Sequence, residues 1–174
     1  MLHRVAVVPV KTSINALIEK SLEKEFLNIN VIKRAILSHK STIQHVLTLN
    51  AIYKKYLNGD KITAQELDDA FTLCGTIEEI DDSEKINMAK SQISAYEDVI
   101  TEENKQLIQF KLKLAIAIDS LHQLVKKFNS EHYCCQLDST QTVEEIYWNW
   151  SMNKPNSKIC EKFSCDLKKK IDNS

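Results

Sequence analysis

The chain has 174 residues, 43% hydrophobic and 27% charged, with a net charge of -1 at neutral pH. That balance suits one folded domain with extensions, argues against a disordered chain, and offers no excess positive charge for a nucleic acid. Two glycines and two prolines are far below ordinary usage, so the frequent turns of a β-rich fold have no residues to make them. The composition predicts an all-α protein whose long heptad-patterned helices form an antiparallel hairpin or bundle, finished by short C-terminal helices.

Residues 1–11, MLHRVAVVPVK, are expected to be an extended N-terminal segment. The apolar stretch from Val5 to Val10 is short, broken by Pro9 and followed by no small-residue cleavage site, so it does not resemble a signal peptide. No later run approaches the ~18 apolar residues of a membrane span. The expected setting is reducing and intracellular, cytoplasm or nucleus; the Asn149-Trp150-Ser151 sequon would matter only in a secreted chain.

Residues 12–58 predict a long helix. Leu22, Ile29, Ile36, Ile43, Asn50 and Leu57 recur every seventh position and form an a column, while Ile32, Val46 and Tyr53 alternate with Glu25 and His39 in the d column. Ile14, Leu17, Ile18, Phe26, Leu37, Leu47 and Ile52 widen the stripe. Thr12 or Ser13 supplies a starting cap, and Asn58-Gly59-Asp60 supplies the stop. Such a helix would be ~67 Å long, more than one small domain wants, which leaves room for a break at Asn28 to Asn30 or Ser38 to Thr42.

Residues 59–82 form an acidic connection, and from Asp60 to Glu84, two residues past its end, nine carboxylates stand against Lys61 alone. Thr63 and Glu66 stand at capping-box spacing and open a short helix over 63–73, which Cys74-Gly75-Thr76 ends. Residues 83–129 then carry the most regular seam. Ile86, Ile93, Ile100, Leu107, Leu114, Leu121 and Phe128 fill every a position, with Ala89, Tyr96, Glu103, Phe110, Ala117 and Leu124 at d. Leu112, Ile116, Ile118 and Val125 add apolar groups on further sides, so this half is expected to be buried by more than one neighbour. Two such helices joined by about 25 residues fold back as an antiparallel hairpin. Residues 130–174 complete the single domain with a loop, short helices near 142–152 and 158–170, and a tail of six lysines against Glu161 and Asp166.

Few residues suggest chemistry. His132, Cys134, Cys135, Cys160 and Cys165 are the right types for zinc, but adjacent cysteines rarely chelate one ion together and the C-x4-C spacing is loose. Small apolar cysteines are the simpler reading, and a disulfide would need an oxidising compartment. With Gly59 and Gly75 the only glycines, there is no phosphate loop or nucleophile elbow. The acidic pairs Glu78-Glu79, Asp81-Asp82 and Glu102-Glu103 lack the Glu-x-x-His partners of a di-iron bundle, and His122, three residues after Asp119, reads as exposed or locally paired. No cofactor, no metal and no catalysis are expected.

Three features point to partners instead. Asn50, at an a position, either fixes register and partner number or sits wet where the helix curves away. Glu103, a charge at d in the best seam, suggests an exposed or hydrated gap. In IYWNW, residues 146–150, helical spacing places Val143, Ile146, Tyr147 and Trp150 on a core-facing stripe, with Trp148 and Met152 opposite.

The resulting expectation is a non-catalytic coiled-coil or bundle interaction subunit of a larger assembly, forming homo- or hetero-oligomers with protein partners. Leu107, Leu114, Leu121, Asn50, Trp148 and Met152 are the candidate contact residues. Heptad-rich, glycine-poor chains of this kind resemble, as a class only, small coiled-coil subunits of kinetochore, spindle or vesicle-tethering assemblies. The alternative is a compact helical-bundle effector, viral or parasite, that grips a partner helix in a groove.

Overall fold

A computed structural model describes residues 10–71, 81–131 and 136–153. Four helices run through them: α1 (Val10–Asn58), α2 (Ala64–Phe71), α3 (Asp82–Glu131) and α4 (Val143–Asn153), and no strand occurs among the described residues. The fold is all-α, with α1 and α3 packed against each other and the short helices added to them.

α1 starts earlier than the cap residues suggested, so Val10 and Lys11 belong to the helix and not to an extended segment. Nor does it break. The polar clusters expected to interrupt it bond within the helix or across to α3: Asn28 Nδ2 donates to Glu25 Oε1 at 3.1 Å, Thr42 Oγ1 donates to the Ser38 carbonyl at 3.1 Å, and His39 pairs with Glu103. Ile29, Ile32 and Ile36 stay buried through the same stretch. The helix expected at 158–170 and the cysteine-rich segments lie outside the described residues.

The chain divides into two units. The middle unit spans Lys33–Leu112, and the terminal unit combines the described residues up to Ile32 with those from Lys113 onward. In the middle unit the core gathers Leu49, Ile52, Tyr53, Ala70, Phe71 and Ala89. Phe71 meets the rings of Tyr53 and Tyr56 edge-on at 5.2 and 5.3 Å, and the Tyr53 hydroxyl donates to the Ala70 carbonyl. These contacts tie α2 to α1. Across to α3, Tyr53 lies 5.9 Å from Tyr96 and Lys54 bonds Glu97 at 3.1 Å, while His39 meets Glu103; as α1 numbers rise, α3 numbers fall, so the two run antiparallel.

The ends of the elements follow local chemistry. Gly59 takes a φ of 72° and closes α1 in a Schellman turn, its N–H donating to Tyr56 O at 3.2 Å and that of Asp60 to Lys55 O at 3.0 Å. Thr63 and Glu66 form the capping box read from the sequence, with Lys55 Nζ adding a 2.8 Å bond to Glu66. These bonds, that from Lys55 foremost, hold the Glu66 carboxyl down to about 2. At the start of α3, Asp81 accepts from the Ser83 hydroxyl and the Glu84 amide, which likewise lowers its pKa.

In the terminal unit Ile18, Leu22, Phe26, Ile29 and Ile32 of α1 are buried, as are Ala117, Leu121, Val125 and Phe128 of α3 and Ile146 and Trp150 of α4. The apolar stripes are narrower than their composition suggested. Leu17, Leu37 and Leu47 are exposed on α1, and Leu112 and Ile116 are exposed on α3, not covered by a second neighbour. At about 100° per residue Leu112 stands opposite Leu121, so a helix that buries Leu121 presents Leu112 to solvent.

Candidate partner-binding surface

Placement of α4 begins at the end of α3. Asn129 Nδ2 donates to the Leu137 carbonyl at 2.7 Å and its Oδ1 accepts the Leu137 amide at 2.8 Å, which turns the chain and buries Leu137. Asp138 then accepts the amide and hydroxyl of Thr140 at 2.8 and 2.7 Å, and these two bonds lower its pKa. Thr142 opens α4: its amide and hydroxyl donate to Glu145 Oε2, both at 2.8 Å, and its Oγ1 accepts the Glu145 amide at 3.3 Å. The Thr142 amide, followed by its hydroxyl, lowers the Glu145 pKa. Asn149 Nδ2 reaches back to Gln141 Oε1 at 2.8 Å.

Held this way, α4 seats Ile146 and Trp150 inward. Phe26 of α1 receives Trp150 at 5.4 Å and the edge of Tyr147 at 5.0 Å. Tyr147 thus touches the core by one side of its ring and is otherwise exposed. Trp148 projects away from Trp150 and is 61% exposed, and Met152, one turn on, is exposed beside it. The pair that the helical spacing set opposite the core stripe is an open apolar face, while Ile146 and Trp150 are buried within the chain.

The other candidates fall on the inner side. Leu107 and Leu121 are buried and Leu114 is half-buried, so these three a positions of α3 are largely covered within the chain. Asn50 is 5% exposed and its Oδ1 has no hydrogen-bond partner, so it is neither wet nor at a helix end. Glu103 is partly exposed and paired: its Oε2 lies 2.6 Å from His39 Nδ1, and the Phe110 ring lies 5.2 Å from the imidazole. Of the three polar interruptions of the d columns, Glu25, His39 and Glu103, the last two are each other's partners. Running the helices antiparallel in register would have found the pair, since both sit at d.

No protein-family model, curated protein or solved structure matches this chain.

Asp81, Asp138 and Glu145 have lowered pKa values because they cap helices or a turn, Glu66 because it accepts first from Lys55 and then from Thr63, and Glu102 because it accepts from Gln106 and Lys105 on its own helix. Tyr56 is raised, by burial first and by Asp82 second. Among the described residues no group of three or more His, Cys, Asp or Glu side chains is placed to hold a metal ion; His132 and all five cysteines lie outside them. No helix among those residues is long and apolar enough to cross a membrane.

Proposed function

We propose that this chain is a non-catalytic α-helical interaction subunit of a larger assembly, in the manner of the coiled-coil subunits of kinetochore, spindle or tethering complexes. The observation that carries the reading is the division of α4: Ile146 and Trp150 complete the chain's own core, while Trp148 and Met152 form an apolar face with no role in it. Tryptophan and methionine are enriched where partners meet, and a solvated tryptophan stabilises nothing on its own. Replacing Trp148 with Ala, alone and with Met152→Ala, is expected to leave thermal melting within about 1 °C of the parent, because little area is uncovered. The same variants are expected to lose partners that the parent chain captures, by affinity purification from its native source. Undiminished capture would remove the α4 face from the reading. Capture of an isolated amphipathic helix by a monomeric parent would favour the effector reading instead.

A further inference from the structure

Two exposed stripes of the terminal unit match each other in charge and in order. On α1, Leu27 and Val31 are 63% and 64% exposed, and the exposed Lys20 and Lys24 precede them. At about 100° per residue these four side chains fall within an arc of about 60°, on the side of the helix away from the buried Leu22, Phe26 and Ile29. The α1 carboxylates Glu19, Glu23 and Glu25 lie outside that arc. On α4, Glu144, Trp148 and Met152 recur every four residues on the outward side, with Glu145 at its edge. Residues 136–153 carry Asp138, Glu144 and Glu145 and no lysine or arginine. Thr142 lowers the Glu145 pKa, and Asp138 and Glu144 push against that lowering, so the carboxylates at this end of α4 repel one another.

We infer that the outward face of α4 docks on the α1 stripe of a second copy of this chain, the two helices parallel. Glu144 and Glu145 then meet Lys20 and Lys24, Trp148 meets Leu27, and Met152 meets Val31. Both stripes run from charge to apolar along the chain, so the parallel direction matches them. Reversed, Met152 would fall beside the lysines and Glu144 beside Val31. Leu17, also exposed, lies before the start of α4 in this register and takes no part. The chain's own α1 stripe cannot be the occupant, because α4 meets that helix through Phe26, which receives Trp150 and Tyr147 on the far side from Lys20 and Val31. The joined faces are unlike, so copies add head to tail and growth continues past the dimer. Two apolar side chains and two charges on each side make a small joint, which is therefore concentration-dependent and weakened by salt. The inference rests on the reading of the α4 face as a partner surface and names the partner.

The test is sedimentation velocity of the full chain from about 1 μM to about 1 mM at low salt, a range that brackets weak association. The parent is expected to shift from monomer to dimer and larger species. Trp148→Asp spoils the α4 face and Leu27→Asp the α1 stripe, and each is expected to weaken association by about tenfold or more. Melting should be unchanged in both, because both residues are exposed. Should either variant melt lower, Glu144→Lys and Val31→Asp probe the same two faces. Each damaged chain keeps the face that the other has lost. An equimolar mixture is therefore expected to associate again, to within about threefold of the parent, and to stop at the heterodimer. A parent that stays monomeric overturns the inference, as does a single variant that associates like the parent or a mixture no better than its components. If self-association fails these tests while Trp148→Ala still severs a different captured protein, the second copy falls as the partner and the interaction-subunit reading stands.

Discussion

Asn50 offers the most discriminating perturbation of the fold. Its amide lies at an a position of α1, between the buried neighbours Leu49 and Ile52, with Oδ1 unpartnered. A buried acceptor left unmade costs about 1–3 kcal/mol, and replacing it with an apolar group of the same shape removes that cost. Leucine branches at the same atom as asparagine, so Asn50→Leu puts methyl groups where the amide was without extending the side chain. For a chain of 174 residues each kcal/mol moves the melting temperature by about 2–4 °C, so the variant is expected to melt about 2–12 °C higher. Asn50→Ala also deletes the orphaned acceptor but leaves a void, and its gain is expected to be smaller or absent. Circular dichroism at 222 nm, followed by calorimetry, reads both. A leucine variant that melts at or below the parent would refute the reasoning, since it would mean that the amide makes a hydrogen bond worth more than its desolvation.

Three further tests concern the local devices. Gly59→Ala is expected to lower melting by about 2–4 °C, a cost of about 1 kcal/mol, from backbone strain alone, because φ is 72° and an added Cβ meets nothing within 4 Å; a melt unchanged within error would show that the turn relaxes freely. Glu66 has a folded pKa of about 2 against an ordinary 4.5, so its contribution is present above about pH 4.5 and is lost as pH falls toward 2; the acid limb of stability against pH should flatten in Glu66→Gln, and an identical limb would dismiss the capping box as a source of acid sensitivity. For His39 and Glu103, a double-mutant cycle to alanine at neutral pH and low salt is expected to give a coupling of roughly 1 kcal/mol, and additive single effects would show that the 2.6 Å contact contributes nothing.

The heptad columns made most of this fold legible. Leu22, Ile29 and Ile36 on α1, with Leu107, Leu121 and Phe128 on α3, are buried where their spacing placed them. What the spacing could not show was how many neighbours each helix would have. Leu17, Leu37, Leu112 and Ile116 were assigned to wider stripes on apolarity alone, and they are exposed because the partner helix covers only one side. The pairing of Glu103 with His39 was not legible for a related cause: periodicity treats each helix singly, and the pairing of two defects is a property of both in register. The opposed faces of α4 were readable, since an 11-residue helix has little freedom once Ile146 and Trp150 face the core. The box of Thr63 and Glu66 was readable, because one threonine three residues before a glutamate suffices to define it, whereas the same spacing at Thr142 and Glu145 was found only in the structure.

The two tryptophans, two residues apart, also give the protein a pair of independent optical gauges. Trp150 lies against Phe26, where its emission reports whether α4 remains seated, whereas Trp148 stands in water and is open to collisional quenchers. Unfolding should red-shift the first and leave the second unmoved. Docking of a partner on the α4 face should protect the second from acrylamide and leave the first unmoved. Each can be isolated by replacing the other with phenylalanine, so that assembly and melting are followed separately in one unlabelled chain.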